Sequence, residues 1–267
     1  MNDLASHDSI DVHAVFIDEG VAKLLFRNPS RRHSLSAKLL KAIEERLTHL
    51  AEQNVSVVVL TSGIGEKVWS AGHDISELAD DRDPVGWGKP LERLLRKVRN
   101  YPGVIIGMVS GSAWGGAVDL AMSCDLIVAD TSACFVMTPA NIGLPYSTSG
   151  LLRFFGNLPV HILKEMFFCA RPLDAERAER FGVVNRLVKR EELENTTFAI
   201  AREIVSKAPL AIRAVKEQLR IIEDARPVPV DAMEQIAELR RAACAGSDMR
   251  EGLEAFAQRR IPHFKGE

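Results

Sequence analysis

Two small-residue turns constrain this chain more than any other feature: Ser70-Ala71-Gly72-His73-Asp74-Ile75 and Ser112-Ala113-Trp114-Gly115-Gly116-Ala117. Each follows an apolar run rich in β-branched residues, at 57–60 and 104–109, and each leads towards a helical pattern. A strand, a tight turn and a helix, repeated, predict an α/β core. Turns of this kind also aim unpaired backbone N–H groups outwards, and two of them can converge on one point. Such a pair holds an oxygen that becomes negative during a reaction, which is an oxyanion hole.

The remaining pattern agrees with alternating strands and helices. Residues 12–26 read as two short strands around Asp18-Glu19-Gly20. Between 36 and 53, Leu39, Leu40, Ile43, Leu47 and Leu50 recur at helical spacing. A buried strand is expected at 55–60, a surface loop rich in Asp, Gly and Pro at 79–90, and a basic amphipathic helix at 91–100. Further strands are expected at 126–129 and near 134–137. After Gly150 helical patterns dominate, at 159–169, 174–181, 191–208, 209–223, 230–245 and 249–260, with a single strand expected at 183–188. The division expected is a core over 1–205 and a helical carboxy-terminal region over 206–267.

Composition excludes several classes. A length of 267 residues, 46% of them hydrophobic, allows a sizeable core. A formal net charge of −2 argues against nucleic acid as a partner. Cys124, Cys134, Cys169 and Cys244 lack metal-ligand spacing and are expected as buried thiols in a reducing compartment; no metal is expected. The polar, acidic first eleven residues do not read as a signal peptide, and no segment reaches membrane-spanning length, so a cytoplasmic location is expected. The spacing Gly111-Ser112-Ala113-Trp114-Gly115-Gly116 does not match a dinucleotide fingerprint, which sets nicotinamide chemistry aside.

Gly115-Gly116 lets a ligand atom approach the backbone, although the pair could equally be a plain tight turn. His73 offers its main-chain N–H, with the ring closing over the site, while Asp74 is expected to cap a following helix. Thr138 and Tyr146 bracket the turn-rich segment Thr138-Pro139-Ala140-Asn141-Ile142-Gly143-Leu144-Pro145-Tyr146 and supply two hydroxyls.

On these turns, from about residue 15 to 264, the chain resembles the crotonase superfamily, the enoyl-CoA hydratase and isomerase family. The resemblance implies a spiral of βα units, a helical carboxy-terminal trimerisation region, and a homotrimer or homohexamer. It also implies an acyl-CoA substrate and stabilisation of a thioester enolate with no separate cofactor. The two hole donors carried over by position are the N–H groups of His73 and Gly116. Coenzyme A would lie against Arg32, Ser34 and the stretch Ala71, Gly72, His73, Asp74 and Ile75, with Arg259 near its phosphates.

Hydratases of the family place water with two glutamates; here Asp119 and Pro139 hold those positions, which disfavours hydration. Trp114 before the double glycine, His73 after Ala-Gly, and Thr138 and Tyr146 resemble the methylmalonyl-CoA decarboxylase branch of the family. That resemblance implies decarboxylation of methylmalonyl-CoA, or a close malonyl-type thioester, to propionyl-CoA and CO2. Tyr146 would orient the departing carboxylate, Thr138 would line the acyl pocket, and water or the His73 ring would supply the final proton. The alternatives are another family activity, thioesterase or enoyl-CoA isomerase, and a non-catalytic relative that binds acyl-CoA or RNA.

Overall fold

Strands that are apolar at every position belong in a sheet covered on both faces, and this rule organises the chain. The computed structural model describes residues 10–78 and 83–267. The segment 79–82 of the expected surface loop and residues 1–9 of the polar start lie outside the described residues. The strands are β1 (Asp11–Asp18), β2 (Val21–Arg27), β3 (Val57–Thr61), β4 (Val68–Ser70), β5 (Val104–Val109), β6 (Ser112–Trp114), β7 (Leu126–Asp130), β8 (Cys134–Val136), β9 (Leu173–Asp174) and β10 (Arg186–Val188). The helices are α1 (Ala37–Glu52), α2 (Pro90–Arg99), α3 (Gly116–Met122), α4 (Thr148–Asn157), α5 (Val160–Cys169), α6 (Ala175–Arg180), α7 (Arg190–Val205), α8 (Pro209–Asp224), α9 (Val230–Ala245) and α10 (Ser247–Gln258).

The larger sheet runs β1-β2-β3-β5-β7-β10. β1 and β2 form an antiparallel hairpin, and the other neighbours pair in parallel. Alternate side chains serve two cores. Val21, Val57, Val59, Val104, Ile106 and Met108 pack with Leu193, Phe198 and Ala201 of α7 on one face. Leu24, Val58, Leu60 and Ile105 face the other way, onto α1, α2 and the second sheet. That second sheet, β4-β6-β8-β9, is built from strands of two or three residues.

Several expectations need correction. β4, β6 and β9, and the whole of α4, were not legible, and the expected strand at 183–188 contracts to Arg186–Val188. Val183 and Val184 instead donate to the Ala178 carbonyl, closing α6 beside Gly182, whose φ is +79°. None of the four expected buried thiols is fully buried: Cys124, Cys134 and Cys244 are half-buried, and Cys169 is exposed at the end of α5. The signature turns also do not leave the large sheet directly, since β4 and β6 intervene.

Candidate active site

β4 and β6 are parallel neighbours, with Val68 beside Ser112 and Ser70 beside Ala113, so they deliver both signature turns side by side. The contact is intimate. A β-carbon built on Gly72 would lie 2.1 Å from the Trp114 carbonyl oxygen and 3.2 Å from the Gly116 nitrogen. One built on Gly116 would lie 3.5 Å from the His73 nitrogen. Gly72 also holds φ at +79° and Gly115 at +50°, conformations that favour glycine. The nitrogens of His73 and Gly116 therefore flank one small space. Gly116 opens α3, where a helix leaves its first N–H groups without intrahelical carbonyls.

The first turn is laced to the 28–35 loop. Leu35 N–H donates to the Gly72 carbonyl at 2.7 Å, and Ala71 N–H to the Arg32 carbonyl at 2.9 Å. The Ser70 hydroxyl donates to the His33 carbonyl at 2.6 Å and accepts from Gly72 N–H at 3.2 Å. Asp74 caps the short 3-10 turn Ile75–Glu77 as expected, and its carboxylate meets Arg31 at 3.1 Å. Arg32, Ser34 and residues 71–75 are thus brought together. Arg32 is exposed, whereas Ser34 is buried with its hydroxyl accepting from the Asn28 side chain. Ile75 packs with Leu78, Leu144 and Met249. Arg259 sits exposed at the left-handed C-cap of α10, whose Gly252 packs on Ile142.

Trp114 is partly exposed, with its indole N–H donating to the Ser112 hydroxyl at 2.8 Å. The Thr138 hydroxyl lies 3.9 Å from where a β-carbon on Gly115 would be, beside the second turn. Tyr146 is buried against Phe154 and Phe167. Its hydroxyl donates to Asp119 Oδ2 at 2.7 Å, which ties it to the first turn of α3. Burial, and then the Asp119 charge, push the Tyr146 phenol well above its ordinary value, so it stays a neutral hydroxyl.

Sequence reasoning missed two members of this cluster. Arg153 of α4 donates from Nε to Asp119 Oδ1 and from Nη2 to Asp119 Oδ2, each at 2.9 Å. The same guanidinium reaches Glu92 of α2 at 2.9 and 2.8 Å. Burial opposes its charge, yet Asp119 and Glu92 together raise its pKa above the ordinary value. A signal was present: an arginine inside Leu151-Leu152-Arg153-Phe154-Phe155 needs an acidic partner if the helix is to pack. Among the described residues no cluster of three or more His, Cys, Asp or Glu could hold a metal, and no helix is long and apolar enough to cross a membrane.

An α/β fold that closes two parallel strand-to-turn junctions over one space is the crotonase type of acyl-CoA-handling protein. The enoyl-CoA hydratase/isomerase family model matches residues 17–267, and the chain belongs to that family. It is 39% identical over 256 residues to the methylmalonyl-CoA decarboxylase of Escherichia coli K12, covering 96% of this chain and 98% of the relative. A methylmalonyl-CoA decarboxylase solved with 2-nitronate-propionyl-CoA superposes with a TM-score of 0.93 at 38% identity, covering 97% of this chain and all of the other. Another, complexed with 2S-carboxypropyl CoA, gives 0.93 at 39% identity, covering 96% and 98%.

Proposed function

We propose that this protein decarboxylates methylmalonyl-CoA, or a close malonyl-type thioester, to propionyl-CoA and CO2. The observation that carries this reading is the state of the carboxylates around the paired turns. Asp74, Glu92 and Asp119 are each engaged by an arginine. The site therefore offers main-chain donors for an anion while its acidic side chains are held away from base chemistry. Hydration and isomerisation need a carboxylate that can move a proton. Loss of CO2 does not.

In the reaction the C–CO2 bond breaks perpendicular to the thioester plane, and its electron pair flows into the carbonyl. The oxygen becomes an enolate oxygen, held by the His73 and Gly116 N–H groups; each donor of such a hole contributes roughly 3 to 4 kcal/mol of barrier lowering. Tyr146 orients the departing carboxylate, and Thr138 lines the acyl pocket. The enolate carbon then takes a proton from water or the His73 ring to give propionyl-CoA. Tyr146 is a poor source for that proton, because its phenolate would form beside the Asp119 charge. The coenzyme A handle lies along Arg32, Ser34 and residues 71–75, with Trp114 beside the acyl group and Arg259 towards the phosphates. No separate cofactor takes part.

The protein works as a cytoplasmic homotrimer or homohexamer, with residues 1–205 as core and 206–267 as the associating region. Supporting this, α8 and α9 bury none of their residues, and they expose Leu210, Val215, Leu219, Ile222 and Val230. The test is CO2 release from methylmalonyl-CoA, with malonyl-CoA and crotonyl-CoA in parallel. Release with formation of propionyl-CoA supports the reading; hydration of crotonyl-CoA without release overturns it.

A further inference from the structure

A phenol carries one proton, so Tyr146 can donate to one acceptor at a time. In the structure that acceptor is Asp119. The reading above asks the same proton to meet the carboxylate of the substrate. Two anions then compete for it, and the outcome depends on how well Asp119 is served without Tyr146.

Arg153 answers this. Its Nε and Nη2 hold Asp119 Oδ1 and Oδ2 separately, each at 2.9 Å. If the Tyr146 hydroxyl turns away, each Asp119 oxygen still keeps one charge-assisted hydrogen bond. Asp119, Glu92, Arg153 and Tyr146 are all buried, so an oxygen left unserved there would be costly. Glu92 in turn fixes the guanidinium through two bonds of 2.9 and 2.8 Å, which sets the plane from which Arg153 reaches Asp119. Arg96 only grazes Glu92, at 3.9 Å, and donates instead to the Trp87 carbonyl at 2.7 Å. The clamp therefore depends on Arg153.

We propose that Arg153, clamped by Glu92, is a positioning residue for the reacting carboxylate: by satisfying Asp119 it frees the Tyr146 hydroxyl to donate its one hydrogen bond to the carboxylate of a bound 2-carboxyacyl thioester. This inference rests on the Tyr146 role in the proposed function. It adds two residues, Glu92 and Arg153, which touch no substrate and act through Asp119. Without the clamp, Tyr146 becomes the principal partner of Asp119 and stays there, and the substrate carboxylate meets an acceptor rather than a donor.

The test compares affinities for 2-carboxypropyl-CoA, a thioether that bears the carboxylate, and propyl-CoA, the same thioether without it, by calorimetry on the whole 267-residue chain. Arg153→Gln alone would strand two buried carboxylates, so it is paired with Glu92→Gln, which removes one charge of each sign. Arg153→Lys keeps the charge and loses the planar fork. The wild-type protein is expected to prefer 2-carboxypropyl-CoA. In both variants that preference falls about tenfold or more, the effect of one hydrogen bond to a charged group. Propyl-CoA affinity stays within about threefold of wild type. Retention of the full preference in both variants overturns the proposal and leaves the decarboxylase reading standing. Equal loss of both ligands assigns the clamp to structure alone, and also overturns it. A wild-type protein without any preference removes the Tyr146 role, and the inference falls with it.

Discussion

The Trp114 carbonyl oxygen stands 2.1 Å from the position a β-carbon on Gly72 would occupy, with the Gly116 nitrogen 3.2 Å from the same point. Gly72 is thus the residue whose missing side chain lets the two signature turns touch. In Gly72→Ala the methyl meets backbone, and the left-handed conformation itself costs about 1–2 kcal/mol. The turns must separate. Turnover, read as CO2 release, should fall about 100-fold or more, with a lowered melting temperature. Wild-type turnover in this variant would show that the apposition is dispensable.

Gly116→Ala should behave differently, because its obstacle is different. The added methyl would meet the Leu91 Cδ2 at 2.8 Å, the far end of a flexible side chain that can move. Alanine also suits a helix better than glycine by about 0.5–1 kcal/mol. Stability should therefore stay within about 1 kcal/mol of wild type. The methyl nevertheless lies 3.5 Å from the His73 nitrogen, in the space assigned to the thioester oxygen. Turnover should fall about 100-fold while thermal unfolding barely moves, and a parallel fall in both would refute this placement.

The legibility of the chain divides along physical lines. Runs such as Val57-Val58-Val59-Leu60 announce the large sheet because strands buried on both faces are apolar throughout. The signature turns were legible because glycines at positive φ and a following helix leave a local imprint. β4 and β6 were not, because three residues carry no readable period, although these strands are what place the turns together. The Glu92–Arg153–Asp119 clamp joins residues 61 and 34 positions apart on three helices. Glu92 sits in a helix that reads as basic, and its burial follows from the packing of α2 against Arg153 rather than from its neighbours in sequence.

Tyr146→Phe removes the hydroxyl and leaves Asp119 with both of its Arg153 bonds. No buried charge is stranded, so the stability cost should be about 1.5 kcal/mol, near the lower end for a hydrogen bond to a charged group. The loss of the orienting contact should lower CO2 release about 100-fold with propionyl-CoA binding unchanged. In the wild-type protein, burial and Asp119 hold the phenol protonated far into the alkaline range. A pH profile should then show no alkaline loss from Tyr146 up to about pH 10. Full turnover in Tyr146→Phe would discard the carboxylate contact.

His33 gives the site an acid-side dependence. It is buried, and its Nδ1 accepts from Asn28 N–H at 3.1 Å, which requires an unprotonated nitrogen there. Burial lowers its pKa, and Arg27 adds to that against the opposing pull of Glu66. The sign follows from the lowered value: the imidazole is neutral when folded, so its contribution is full above the unfolded pKa of about 6.5 and is lost as pH falls below it. Protonation would set two donors face to face at Asn28. It would also disturb the His33 carbonyl, which accepts from the Ser70 hydroxyl that receives Gly72 N–H. Denaturant unfolding should therefore show declining stability between about pH 7 and 5, with CO2 release declining alongside. Asn in place of His33 tolerates the left-handed φ of +55° and offers an acceptor that does not titrate. His33→Asn should flatten the acid dependence of stability relative to wild type, and an unchanged slope would assign that dependence to other groups.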